Sequence, residues 1–144
     1  MAIDVTVQTT IDRPTAEVSA YAGDPTRAPE WYANITSVRW RTPPPLTEGS
    51  RLDFEARFLG RRLSYTYEVV ELVPGERLVM RTADGPFPME TTYTWQAAGT
   101  GTRLTLRNRG TPTAFAKVAT PLLATAVRSA TRKDLARLKA LLER

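Results

Sequence analysis

The sequence predicts an α+β domain of residues 1–144, in which a curved antiparallel sheet of seven strands wraps a long C-terminal helix. Three observations lead to this fold class. Apolar and polar residues alternate with a period of two in seven segments. The links between the last six segments are short, which favours antiparallel neighbours because parallel pairs need long crossovers. From Ala114 onward glycine is absent and the apolar period becomes helical.

The N-terminal region provides the first strand and two short helices. Residues Ile3–Ile11 alternate as a half-buried strand does. Pro14 opens a helix that runs to about Tyr21, because the missing N–H of proline would be unpaired at the first helical position anyway. Asp24-Pro25 reads as an N-cap followed by proline, so a second short helix is expected to lead to Trp31-Tyr32.

Six further strands and the terminal helix complete the predicted order of elements. The strands are expected at about residues 35–41, 50–59, 62–72, 77–82, 88–96 and 102–109. One proline interrupts the helical period after Ala114. Thr120-Pro121 either begins the main helix, as N-cap and first position, or kinks a longer one. We therefore predict a kinked or two-part helix.

Composition excludes several kinds of chemistry. The 144 residues contain no cysteine and no histidine, so thiolate nucleophiles and the commonest general base are missing. No Ca²⁺-binding loop motif is visible, and we predict neither a metal nor a cofactor. No apolar run approaches the ~20 residues that span a bilayer, and the alternating start differs from a signal peptide. The expectation is a soluble cytoplasmic protein.

The strand charges fall almost entirely on one face of the predicted sheet, so the other face is covered. The covered face, to which Thr36 is assigned, is rich in aromatic rings and hydroxyl groups, which need polar partners when buried. They either bond one another and the backbone or face a cavity, and we favour a cavity. The wall is expected to contain Trp31, Phe54, Phe58, Tyr65, Tyr67, Met80, Met89, Tyr93, Leu106, Phe115 and Leu122, with Asn108 as an amide anchor.

Several short segments, in their order and spacing, resemble one superfamily over the whole chain. They are Ile11-Asp12-Arg13-Pro14, Asp24-Pro25 to Trp31-Tyr32, the run from Val69 to Leu78, and Gly101-Thr102-Arg103-Leu104. The chain resembles the START, polyketide cyclase/dehydrase and pollen-allergen-like (SRPBCC) proteins. The resemblance implies a helix-grip fold with a pocket between sheet and terminal helix. Members bind lipids, sterols, polyketides or hormones, and a minority catalyse cyclisation or dehydration.

Two functions are open at this point. Binding of a small hydrophobic or aromatic ligand needs only a concave apolar wall and a few polar anchors. The alternative, a polyketide cyclase/dehydrase-type enzyme, needs a proton acceptor and a group that holds an enolate oxygen. The inward strand positions offer no carboxylate, histidine or lysine, so catalysis would recruit groups from elsewhere, such as Asp84 or Arg13. Ligand binding without catalysis is the preferred interpretation.

The net charge of +5 is concentrated in the C-terminal segment. Positive side chains near the end of a helix favour the helix itself, and the segment after Phe115 has no aromatic residue for stacking on bases. We therefore predict no nucleic-acid partner. The first half of the helix has apolar residues on both sides, which leaves a homodimer contact through the extra face as a second interpretation.

Overall fold

The computed structural model describes residues 2–144. Seven antiparallel strands form one sheet in the order β1-β7-β6-β5-β4-β3-β2, as the alternation and the short links predicted. The strands are β1 Ile3–Ile11, β2 Ile35–Trp40, β3 Arg51–Phe58, β4 Arg61–Val73, β5 Arg77–Asp84, β6 Met89–Ala98 and β7 Gly101–Gly110.

Two short helices follow β1, as predicted. Helix α1 spans Thr15–Ala22, and Pro14 is its N-cap, one position before the place the sequence suggested. Asp24 caps the next turn by accepting a hydrogen bond from the Thr26 N–H at 3.0 Å. That 3₁₀ turn continues into helix α2, Ala28–Trp31.

The C-terminal helical region has two parts, as Thr120-Pro121 indicated. A 3₁₀ turn spans Thr113–Phe115, and the main helix α3 spans Thr120–Leu142. The N-cap of α3 is Ala119, with proline in the first turn, so Thr120 is already helical. Residues 116–119 connect the two parts and are not helical.

One face of the sheet is solvated and carries cross-strand ion pairs. Arg41 meets Asp53 at 3.0 Å, and Arg51 meets Glu68 at 2.9 Å. The placement of Thr36 on the covered face was wrong. The register of β2 against β3 shifts between Ile35 and Ser37, and this bulge leaves Thr36 exposed while Ile35 lines the inside.

Helix α3 packs against the edge strand β1. Leu135 and Leu138 are buried in the core. Lys139 Nζ donates to the Thr10 carbonyl at 2.6 Å, and Arg128 Nη1 donates to the Thr6 carbonyl at 3.1 Å. An edge strand has backbone groups without strand partners, and these two cations satisfy some of them. Part of the positive charge of the C-terminal segment therefore helps to hold α3 against β1. Within residues 2–144 no helix is long and apolar enough to cross a membrane.

Candidate ligand-binding site

A cavity of about 170 Å³ lies between the covered face of the sheet and the first half of α3. It separates the main core, which contains Leu135 and Leu138, from a smaller apolar cluster. The smaller cluster closes the cavity with side chains of β3, β4, the β5–β6 loop, the 3₁₀ turn and α3. Its buried members are Ala56, Leu63, Phe87, Phe115 and Leu123.

The structure places half of the expected wall at the cavity. Residues of β3, β4, β6, β7 and the 3₁₀ turn line it, and they are Phe58, Tyr65, Tyr67, Met89, Asn108 and Phe115. A second group packs in the main core without lining the cavity. This group consists of Trp31, Phe54, Met80, Tyr93 and Leu106.

Leu122 does not belong to the wall, contrary to our expectation. Its side chain is 67% exposed, whereas its neighbour Leu123 is 1% exposed and lines the cavity. The error came from extending one helical phase from Phe115 across the break before α3. Counting back from Val127, which also lines the cavity, by four residues gives Leu123.

The core aromatics support the wall from behind. Phe54 stacks on Tyr65 with 5.2 Å between ring centroids. Trp31 packs on Tyr32 at 4.1 Å and meets Tyr93 edge-on at 6.4 Å. The indole N–H of Trp31 is buried and has no acceptor among residues 2–144. The inward phase of the strands therefore contains two kinds of aromatic residue, cavity lining and packing support.

A chain of side-chain hydrogen bonds orients Asn108. The Thr91 hydroxyl donates to Asn108 Oδ1 at 2.8 Å. Since that hydroxyl has one hydrogen, it accepts from the Tyr67 hydroxyl, which lies 2.8 Å away. The Asn108 amide NH₂ makes no hydrogen bond within the described part of the chain and remains available as a donor at the cavity. Asn108, which the sequence predicts as an amide anchor, therefore lines the cavity with its NH₂ group unbonded.

Four phenols cluster at the cavity and behind it. The hydroxyls of Tyr32 and Tyr93 share a hydrogen bond of 2.5 Å. Burial raises the pKa of Tyr67 to about 12, and it also raises the pKa of Tyr32, Tyr65 and Tyr93. All four are therefore neutral at physiological pH and act as hydrogen-bonding groups. The Tyr65 hydroxyl has no hydrogen-bond partner in residues 2–144, and Tyr32 is a lining residue that sequence reasoning missed.

Asp134 brings a carboxyl group into the cavity from α3. Its side chain is buried, and Oδ1 accepts a hydrogen bond from the Ala33 N–H at 3.0 Å. Oδ2 has no hydrogen-bond partner among the residues that the structure describes. Desolvation raises the pKa of Asp134 to about 6, against the lowering effects of the Ala33 N–H and the Arg137 charge. The cavity therefore holds one titratable acid with a free oxygen.

The sequence contained a signal for Asp134. It lies three residues after Thr131 and four before Leu138, on the inward stripe of α3, so its helical spacing placed a carboxylate among buried residues. The two groups expected from outside the strands lie elsewhere. Asp84 is exposed at the end of β5, and Arg13 bonds the Arg144 carbonyl at 3.1 Å. Neither lines the cavity.

The fold and this site define a class of protein in which a curved antiparallel sheet packs around one long helix and an apolar cavity lies between them. The sequence matches the family described as "Polyketide cyclase / dehydrase and lipid transport" over residues 2–143, and the chain belongs to that family. No curated protein matches the sequence. The superfamily resemblance predicted from the ordered segments is thus confirmed.

Solved structures confirm the helix-grip fold. A START superfamily protein from Mycobacterium smegmatis is similar with a TM-score of 0.81 and 14% identity, over 97% of each chain. Major latex-like protein 151 from Panax ginseng gives 0.76 and 14%, over 98% of this chain and 97% of that one. A protein from Thermus thermophilus gives 0.74 and 20%, over 96% and 99%. At these identities the similarity shows the fold.

The raised pKa of Asp134 predicts a pH dependence of stability. Between about pH 4 and pH 6 the folded chain binds this proton more tightly than the unfolded chain, so the free energy of unfolding falls as the pH rises through that window. Asp134→Asn removes the effect. We expect the variant to gain about 2–3 kcal/mol over the wild type between pH 4 and pH 7, measured by urea unfolding.

Asp53→Asn is the matched control for this measurement. Asp53 lies on the solvated face, and its hydrogen bond from Thr66 lowers its pKa, followed by the effect of Arg41. Its variant should therefore lose stability relative to the wild type as the pH rises. A constant difference between Asp134→Asn and the wild type across this range contradicts a buried, pKa-raised carboxyl.

Proposed function

We propose that this chain binds a compact hydrophobic or aromatic molecule in the cavity between the sheet and α3. The observation that carries the proposal is an apolar cavity whose polar groups without hydrogen-bond partners in residues 2–144 include the Tyr65 hydroxyl, the Asn108 amide and Asp134 Oδ2. An apolar wall with a few placed polar groups is the usual composition of a small-molecule site. The proposed contact residues are Tyr32, Phe58, Tyr65, Tyr67, Met89, Asn108, Phe115, Leu123 and Asp134.

The volume of the cavity indicates the size of ligand that it suits. About 170 Å³ is close to the roughly 150 Å³ of an engineered protein cavity that binds benzene, and below the roughly 300 Å³ at which drug-sized sites begin. The volume therefore favours a ligand of one or two rings over a lipid chain or a multi-ring polyketide. Family membership supports binding of a small hydrophobic molecule in general terms.

Two neighbouring leucines give a matched test of the binding site. Leu123→Trp fills the cavity, whereas Leu122→Trp adds the same volume at an exposed position. With indane as the probe, we expect Leu123→Trp to weaken binding at least about tenfold and Leu122→Trp to leave it within about twofold of the wild type. Chemical-shift titration measures both, and a thermal melt confirms that each variant folds.

The two outcomes that contradict the proposal are distinct. If indane shifts no resonances of cavity residues in the wild type, the cavity does not take an apolar ligand. If the two tryptophan variants weaken binding equally, the ligand sits elsewhere on the molecule.

Asp134 favours a second function, a cyclase/dehydrase-type enzyme. Such a reaction needs a proton acceptor near a carbonyl whose enolate oxygen is held by donors. Asp134 Oδ2 is a free acceptor on a carboxyl group whose pKa is raised to about 6, and the Tyr65 hydroxyl and the Asn108 amide are free donors at the same cavity. The small volume remains the reason for preferring binding without catalysis.

Enolisation of 2-indanone tests the second function. This ketone has the size of the cavity and exchanges its α-hydrogens with D₂O through an enolate. A catalytic Asp134 predicts exchange at least about tenfold above the Asp134→Asn variant, measured by ¹H NMR, with Asp53→Asn as active as the wild type. Equal exchange in wild type, both variants and buffer contradicts enzyme function of this kind.

Two further predictions from sequence stay predictions. A homodimer through the outward side of α3 is supported by Leu122, a large apolar side chain that is 67% exposed. Location in the cytoplasm is the other.

A further inference from the structure

The carboxylate of Asp134 is buried and has no ion-pair partner among residues 2–144. No Lys or Arg nitrogen in residues 2–144 lies within 4 Å of it. The charge of Arg137, three residues along α3, lowers the pKa of Asp134, but the two form no ion pair, and Arg137 Nε donates to the Glu30 carbonyl at 2.9 Å. A buried charge is costly unless it is paired, and here the protein provides one backbone N–H.

The groups that face Asp134 from the other elements are neutral or paired with each other. The segment after α2 provides Tyr32 and the Ala33 N–H, and β6 provides Tyr93. Strands β4 and β7 provide Tyr65, Tyr67 and Asn108 at the cavity. Glu90 and Arg109 also line the cavity and form an ion pair with each other. Among residues 2–144, no cation thus forms an ion pair with the carboxylate.

The rest of the cavity also suits a positive charge. The rings of Tyr32, Tyr65 and Tyr67 line it, and the face of a phenol ring attracts a cation. The Tyr67 hydroxyl donates its one hydrogen to the Thr91 hydroxyl, so toward a ligand it can only accept a hydrogen bond. An ammonium group has three donors and no acceptor, so it complements a free carboxylate oxygen, phenol oxygens and aromatic faces together.

We propose that the cavity selects a compact organic amine, whose ammonium group donates to Asp134 Oδ2 while its hydrocarbon ring fills the apolar wall. This inference rests on the proposed function, because it names the class of ligand for the same cavity. An amine of one or two rings satisfies both the volume and the unpaired charge.

Three probes of nearly equal size and shape test the proposal. 2-Aminoindane is a cation, indan-2-ol has one neutral donor, and 2-methylindane has none. At pH 7.5 we expect the wild type to bind the amine at least about tenfold more tightly than 2-methylindane, with the alcohol in between. Titration calorimetry and chemical shifts measure the three dissociation constants.

Charge removal is then tested in two independent ways. In Asp134→Asn the preference for the amine should disappear while 2-methylindane still binds, and in Asp53→Asn the preference should persist. In the wild type the preference should fall toward equality at pH 4.5, because the carboxyl is protonated there while the amine stays cationic. The pH series needs no variant, so it holds even if Asp134→Asn does not fold.

The outcomes separate this inference from the proposed function. If 2-methylindane binds and the amine has no advantage, or the alcohol binds as tightly as the amine, selection for an organic cation is overturned and the ligand-binding function stands. If none of the three probes binds the wild type, the proposed function itself is overturned.

Discussion

The docking of α3 on the edge strand β1 is the contact on which the rest of the molecule depends. The second half of the helix buries Leu135 and Leu138, and Lys139 and Arg128 donate to carbonyls along β1. Glu143 fixes the far end by accepting from the Asp12 N–H at 2.7 Å. These contacts hold the helix along one edge of a curved sheet.

The cavity follows from that arrangement. A helix that is fixed along one edge spans the concave face without filling all of it, and side chains must close the remaining space. At the first half of α3 the closing residues are few: Phe115 from the 3₁₀ turn, Phe87 from the β5–β6 loop, and Leu123. Phe115 meets Phe87 edge-on, with 6.2 Å between ring centroids. The space left between these residues and the main core is the binding site that we propose.

The chemistry of the cavity is set by which polar atoms the fold has already satisfied. The Tyr67 hydroxyl and Asn108 Oδ1 are used by Thr91, and the hydroxyl of Tyr32 is shared with Tyr93. The groups that remain include the Tyr65 hydroxyl, the Asn108 NH₂, the Asn34 side-chain amide and Asp134 Oδ2. In the proposed function, these neutral donors and one unpaired carboxylate bind the polar end of a ligand, and the shape of the apolar wall selects its hydrocarbon part.

The fold was largely predictable from sequence because the alternation along each strand distinguishes the solvated face of the sheet from the covered face. Charges lie on one phase and rings on the other, and short turns leave few topologies. The errors have local causes that alternation does not encode. The bulge at Ile35 and Ser37 displaced Thr36, and the break before α3 shifted the helical phase from Leu122 to Leu123.

The candidate site was predictable only in part, for two physical reasons. Alternation shows that a side chain points inward but not whether it meets another side chain or empty space, so Phe54 and Phe58 looked alike. Strand alternation gives no information about Asp134, whereas the helical spacing from Thr131 to Leu138 places it inside. Polar residues on an apolar helical stripe are therefore informative even when a sheet dominates the fold.

We propose that the apolar space between α3 and the sheet accepts a ligand. The most direct measurement is a crystal structure under xenon pressure, because xenon occupies dry apolar cavities and is easily located. We expect a xenon atom in contact with Leu123 and Phe58, between the sheet and α3. A cavity without xenon, filled by side chains or by a chain of ordered waters, contradicts it.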